Sequence, residues 1–280
     1  SLSHSSLFPI MGNNHHQPAP RKNKDELLQY VKNFQPQNEE VKAIRVLLHG
    51  PVGAGKSSFI NSVNNVLQGR MTNRALTSTI TSDQSFTKEY KTYKIKKEGR
   101  EVYPFVFNDV MGLEEKTGVK EEDIKLALKG HVKDNYKFNP VASLSEGDHG
   151  YNSSPSISDR VHVLVCIYDA NAAQMKLPVL QKMREIREAA SELGIPQMAI
   201  LTHIDSACGV TEKNLRNVYR SKHLKKKMTD FSASLGIPMN CILPMKNYSH
   251  ETQLNPDVDT LILSALRLMI DFGDDYTDTL

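Results

Sequence analysis

The sequence predicts an α/β fold with a mostly parallel central sheet and helices on both faces, and three observations carry that expectation. First, apolar strand-like runs alternate with helical patterns from Ile44 onward, the order of βαβ units. Second, the run Val46-Leu47-Leu48-His49 leads into a glycine loop, Gly50-Pro51-Val52-Gly53-Ala54-Gly55-Lys56-Ser57-Ser58, and then into a helical pattern through Phe59, Ile60 and Val63. Third, a later apolar strand, Phe105-Val106-Phe107-Asn108, ends in the carboxylate of Asp109 and is followed by Gly112. Gly50, Gly55, Lys56 and Ser57 satisfy the G-x-x-x-x-G-K-[ST] pattern between a strand and a helix. The expected architecture is therefore a P-loop NTPase, G-domain-like.

Taken in order, residues 1–24 are rich in Ser, His, Asn, Pro and basic side chains without periodicity and read as a flexible lead, of which residues 1–10 suit an expression remnant. Met11-Gly12 suggests a myristoylation start, but His16 stands where Ser or Thr is required. Residues 25–43 read as a helix and linker: Asn23 and Glu26 form a capping-box pattern, Leu27, Leu28, Val31 and Phe34 share one face, and Pro36 ends it. The main domain is 44–280. Its strand Ile44–Leu48 is followed by the loop helix to Leu67 and a polar Thr/Ser segment. Strands Tyr90–Lys96 and Val102–Phe107 are expected to pair as a hairpin through Glu98-Gly99-Arg100, with Pro104 near the start of the second. A helix Glu121–Val132 follows, then an irregular insertion loop at 134–159. The remaining elements are strand Val161–Tyr168, helix Pro178–Leu193, strand Met198–Leu201, helix Thr211–Leu235, strand Cys241–Met245 and an amphipathic helix Val258–Phe272.

Composition bounds the function classes. A chain of 280 residues that is 39% hydrophobic and 24% charged is long and apolar enough for a substantial core. A net charge of +3 gives no global field that would imply a nucleic acid partner, so such a partner needs a local patch. Cys166, Cys208 and Cys241 are an odd number at wide spacing, which favours a reducing compartment and suits neither a disulfide framework nor a metal site. His131, His149, His162, His223 and His250 likewise lack metal-ligand spacing. No apolar run reaches membrane-spanning length, and a cytoplasmic location is expected.

Four segments carry chemistry. In the loop 50–58, glycines let consecutive backbone N–H groups converge on an anion at the positive end of a helix. Lys56 is expected at the β- and γ-phosphates, the Ser57 hydroxyl on Mg²⁺ and Ser58 near the α-phosphate. Asp109 and Gly112 make an Asp-x-x-Gly pattern, with Asp109 on Mg²⁺ and the Gly112 N–H at a γ-phosphate. Thr202-His203-Ile204-Asp205 stands after a strand where [NT]-K-x-D reads a base; the Asp205 carboxylate suits the ring N–H and exocyclic amine of guanine, and His203 replaces the usual lysine. Asn247 is the expected base contact of the last loop. For the Mg²⁺-sensing threonine, Thr77, Thr79 and Thr81 are candidates, with Thr81 preferred. The cofactors implied are GTP or GDP with Mg²⁺, and Asp205 speaks against an ATP-dependent kinase.

Gly50 to Ser58, Asn108 to Leu113, Asp159 to Ala170, Leu201 to Asp205, Asn247-Tyr248-Ser249 and Leu261 to Arg267 together resemble the interferon-induced protein 44-like family, as does Tyr136 to Pro140 within the insertion. The resemblance spans about Ile44 to Asp271. It implies a cytoplasmic GTP-binding protein of innate antiviral defence; longer members carry a further N-terminal domain that nothing here matches.

Leu113 follows Gly112 where Ras-like switches place the glutamine that orients water, and the loop contains no arginine to act as a finger. Slow hydrolysis is expected, stimulated by an unidentified protein partner or by a homodimer across the nucleotide face, with Arg70 and Arg74 near the switch segment. A non-hydrolysing binding module is the alternative. Arg216, Arg220, Lys222, Lys225, Lys226 and Lys227 form a basic helix at 213–227, either a solvated face or a site for an anionic partner, lipid or RNA.

Overall fold

The computed structural model describes residues 20–72, 89–110, 113, 119–172, 175–207, 221–249 and 251–280. Seven strands form one sheet: β1 (Ile44–His49), β2 (Glu89–Lys96), β3 (Val102–Asp109), β4 (Tyr136–Lys137), β5 (Val163–Asp169), β6 (Gln197–Thr202) and β7 (Ile242–Pro244), in the spatial order β4-β2-β3-β1-β5-β6-β7. β3, β1, β5, β6 and β7 run parallel, while β2 is antiparallel to β3 and β4 antiparallel to β2. The expected α/β architecture, a mostly parallel sheet with helices on both faces, is the observed one. Parallel strands buried on both faces account for the near-continuous apolar runs of β1 and β5.

Helices α1 (Pro20–Lys32), α2 (Lys56–Gln68) and α7 (Pro256–Thr277) share one core with Val46, Leu48, Phe105 and Val165. Helices α3 (Glu121–Leu128), α4 (Leu177–Glu192) and α6 (Lys222–Leu235) share the other with Leu47, Leu164, Cys166 and Ala199, and α5 (Ile204–Ala207) is a single turn. Alternate residues of β1 and β5 point to opposite faces, which is why neighbours in sequence fall into different cores. Among the described residues no helix is long and apolar enough to cross a membrane.

Several boundaries differ from those read in the sequence. The first helix opens at Pro20, ahead of the Asn23 cap, because Pro suits the first turn. Residues 20–24 are therefore part of the fold rather than of a flexible lead, and Lys24 lies 2.8 Å from the fully buried Asp259. α3 stops at Leu128 rather than Val132, as the chain turns at Gly130 and Val132 bridges to Tyr151. Pro104 lies inside β3, at the register shift that separates the pairs Lys94↔Val106 and Lys96↔Val102, and before β1 pairing begins at Phe105. An irregular ladder spares it an N–H it does not have. Cys241 ends a 3-10 turn just before β7, and the last helix extends past Phe272 to Thr277. Of the helix expected over Thr211–Leu235, the part before Ser221 lies outside the described residues.

The insertion at 134–159 is more ordered than a connecting loop. It supplies edge strand β4, buries Phe138 and Leu144, and ends in a 3-10 turn, Ile157–Asp159. Its polar groups fasten it to the sheet: the Asp134 carboxylate accepts the Thr92 N–H at 2.8 Å and Ser158 O accepts Arg45 Nε at 3.0 Å.

His162 sits wholly buried at the start of β5, where its Nδ1 accepts the Arg45 N–H at 2.9 Å and its Nε2–H donates to Ile157 O at 2.8 Å. Burial holds this imidazole neutral, down from 6.5 to about 4. The unfolded chain therefore binds a proton below pH 6.5 that the folded chain refuses until about pH 4, so the contribution is complete above pH 6.5 and lost as acid increases. Thermal melts across this window should fall in midpoint from pH 6.5 toward pH 4, with a shallower fall in His162→Gln. A second outcome concerns packing. A Cβ added at Gly273 on α7 would lie 2.4 Å from Ile44 Cγ2 on β1. Gly273→Ala should cost about 1–3 kcal/mol by overpacking, read as a melting point lowered by roughly 2–4 °C per kcal/mol.

Candidate nucleotide site

β1 ends at His49, the loop 50–55 crosses the C-terminal edge of the sheet, and α2 begins at Lys56. Gly50 has φ 150°, and a Cβ there would lie 2.1 Å from Ile167 O, so only glycine lets the loop leave β1 against the backbone of β5. Gly55 caps α2 in the left-handed region at φ 98°. These conformations turn the loop over the helix N-terminus, where backbone N–H groups and the helix dipole favour an anion.

Lys56 is 8% exposed, and its ammonium donates to Gly50 O at 3.3 Å and Pro51 O at 3.1 Å. Burial pulls its pKa down, and the nearby Asp109 carboxylate opposes that shift. Asp109 arrives through strand register: β3 lies parallel to β1 with Asp109 opposite Leu48. Its Oδ2 accepts the Ser57 hydroxyl at 2.8 Å, while its Oδ1 is buried with no hydrogen-bond partner. Burial raises this carboxyl, and Lys56 and Ser57 hold it down. A lone carboxylate oxygen beside a serine hydroxyl is the donor set that suits a hard divalent cation.

Leu113 is 2% exposed, and its N–H donates to Gly50 O at 3.0 Å beneath the loop. It is a core residue that offers no polar group to a water. Gly112 lies outside the described residues, as do Thr77, Thr79, Thr81 and Arg74; Arg70 is exposed. Val52, at 39% exposure, forms the tip of the loop.

On the other side, β6 ends at Thr202, which is buried and donates its hydroxyl to Ala54 O at 2.8 Å. His203 follows at φ 57°, a left-handed conformation uncommon outside glycine, with Nδ1 3.2 Å from Asp169 Oδ1. Buried Ile204 anchors α5, and the partly exposed Asp205 lies 3.5 Å from Lys246 Nζ, itself 3.2 Å from Glu251. Asn247 donates from Nδ2 to Gly55 O at 3.3 Å, which seats the last loop on the P-loop backbone, and its Oδ1 is buried without a partner.

The fold thus brings residues 50–58, Asp109, Leu113, Thr202, His203, Asp205 and Asn247 to one end of the sheet. Asp169 and Lys246 belong to the same cluster and were not picked out in the sequence. Asp169 had a readable signal, since it ends an apolar strand as Asp109 does; Lys246 had only its place beside Asn247. His49, buried under the loop and lowered to about 3 by burial and by Lys56, is a neutral core residue. Of the histidines outside the site, His162 is buried, His149 and His223 are exposed, His250 lies outside the described residues, and His131 Nδ1 lies 2.8 Å from Asn152 O with its ring stacked on Tyr151. Among the described residues no group of three His, Cys, Asp or Glu side chains is placed to hold a metal. Cys166 is buried, its thiol pushed up to about 12 by burial; Cys241 is partly buried, and Cys208 lies outside the described residues.

No model of a known protein family matches the chain. Curated relatives do. Human interferon-induced protein 44 is 38% identical over 261 residues, 92% of this chain and 58% of that protein. The mouse protein of the same name is 34% identical over 91% of this chain and 60% of its own length. Human interferon-induced protein 44-like is 35% identical over 93% of this chain and 58% of its own length. The chain therefore spans less than two thirds of these relatives. Among solved structures, a dimerization-deficient mutant of Toc33 from Arabidopsis thaliana aligns at TM-score 0.48 and 14% identity over 91% of each chain. Over the stretch that they share, this chain is similar to interferon-induced protein 44 and interferon-induced protein 44-like, the family that its own motifs resemble.

Proposed function

We propose that this chain is a guanine-nucleotide-binding domain that acts with Mg²⁺ in the innate antiviral response, in the cytoplasm, with slow hydrolysis of GTP that a partner or a second copy stimulates. The observation that supports it best is the Lys56–Asp109–Ser57 cluster at the mouth of the glycine loop. Lys56 exchanges its two loop carbonyls for phosphate oxygens, and the loop N–H groups hold the anion. Ser57 and Asp109 would hold Mg²⁺, with Thr81 as the third candidate; bound there, the ion neutralises charge on the phosphates. Guanine specificity rests on Asp205, with His203 stacking on the base and Asn247 closing the loop. The immune role rests on the relatives, whose names call them interferon-induced.

Hydrolysis needs a group that orients water, and buried Leu113 is not one. A finger supplied in trans is worth about 10³ to 10⁵ in rate, so a homodimer across the nucleotide face would supply such a group. The same residue favours the second reading, a non-hydrolysing module whose nucleotide state governs an unidentified partner. The lysines of α6 offer an anionic partner, lipid or RNA, an exposed face.

Phosphate release measured against protein concentration separates these readings: a rate per chain that rises with concentration supports the stimulated enzyme, and zero release throughout removes it. Calorimetric titration tests the base. Asp205→Asn should lower GTP affinity by at least about tenfold, the loss of a charge-assisted hydrogen-bond pair, and shift preference toward xanthine nucleotide. Unchanged GTP affinity would refute the base-reading assignment.

A further inference from the structure

The base-side loop is held from behind by a buried polar chain that begins on the first helix. Lys24 of α1 reaches Asp259 Oδ2 at 2.8 Å; the lysine side chain is 22% exposed and the carboxylate 0%. The other oxygen, Asp259 Oδ1, accepts the Tyr248 hydroxyl at 2.6 Å, and that hydroxyl in turn accepts the Asn255 N–H at 2.6 Å. Burial and Asp259 both push the Tyr248 phenol well above its ordinary range, so it stays a donor. Tyr248 then contacts the P-loop helix: its N–H donates to Ser62 Oγ at 3.0 Å, and Ser62 Oγ donates to Ser58 O at 2.8 Å. Its neighbour Asn247 donates to Gly55 O.

A carboxylate with no exposure needs its counter-charge, and removing one partner of a buried pair leaves an uncompensated charge. The counter-charge here comes from α1, a helix that no nucleotide motif includes. α1 has separate anchors toward its C-terminal side: Gln37 N–H and Nε2 both donate to Asp274 at 2.9 Å, Asn38 Nδ2 donates to Thr277 O at 3.0 Å, and Tyr30 donates to Asp271 beneath Arg267. Docking of the rest of α1 thus does not depend on Lys24.

We propose that Lys24, Asp259 and Tyr248 are positioning residues for the nucleotide site, so that docking of the start of α1 and binding of nucleotide tighten one another. This rests on the reading of Asn247-Tyr248 as the base-side loop. Coupling between two sites is reciprocal: nucleotide slows exchange at the start of α1, and loss of Lys24 weakens nucleotide.

The test uses hydrogen exchange of the whole chain, first without nucleotide. In Lys24→Met the amides of Asn247 and Tyr248 should exchange about tenfold faster, amides of β5 should not change, and Lys24→Arg should restore the wild-type rates. Unchanged loop exchange in Lys24→Met overturns the proposal, whatever the nucleotide does. Titration with GTP comes second: affinity should fall about tenfold in both Lys24→Met and Tyr248→Phe, the latter leaving the Lys24–Asp259 pair in place and α1 docked. A loosened loop with unchanged affinity also overturns it. Absence of GTP binding in the wild type would instead refute the nucleotide reading, and the first measurement would still decide whether α1 positions the loop.

Discussion

A nearly buried ammonium at the edge of the sheet governs how the surrounding elements are arranged. Lys56 is placed by the turn of the glycine loop into α2, and burial works against its charge. Two carbonyls of its own loop and the carboxylate of Asp109 offset that cost. Asp109 is there only because β3 runs parallel to β1 in the register that sets it opposite Leu48. Strand order, loop conformation and charge placement are therefore one constraint: with a register shifted by a single residue, Asp109 would face the other core and Lys56 would lose its nearest anion.

The division of the helices follows from the same arrangement. α2 must lie on the face where its loop leaves β1, and α7 and α1 then close that face, with Tyr248 and Ser62 linking the last loop to α2. α3, α4 and α6 cover the opposite face, and the insertion extends the sheet beyond β2. In this packing α1 is a component of the core: Leu27, Val31 and Phe34 are buried with the sheet residues, in agreement with the apolar stripe read in the sequence.

The stripe of α1, the alternation of strands and helices, the glycine loop and the strand-ending Asp109 were legible because each is a local pattern with a fixed period or spacing. What was not legible depends on pairs distant in sequence. Asp169 and His203 lie 34 positions apart and meet only because β5 and β6 pair with Asp169 opposite Thr202. Lys246 reads as one more surface lysine until β7 sets it beside Asp205. The helix starts at Pro20 and Lys222, and the short α3, escaped for a different reason: caps compete with tertiary contacts, and a capping-box pattern such as Asn23 with Glu26 loses when a proline three residues earlier opens the turn. The insertion read as a loop because its strand has two residues, below the length at which alternation can be seen.

Gly50 O joins two groups of different kind. It accepts from the Lys56 ammonium at 3.3 Å and from the Leu113 N–H at 3.0 Å. A carbonyl with two lone pairs can serve both. The Leu113 bond does not depend on the ammonium, and the isolated bridge between Leu113 and Pro51 runs beside it. A polar residue at 113 would be forced to bury its side chain in the core formed by Val110, Ala170 and Ile204, where an apolar one costs nothing. Leu113 thus buries its side chain in this core while its N–H holds Gly50 O. At this position packing excludes a polar side chain.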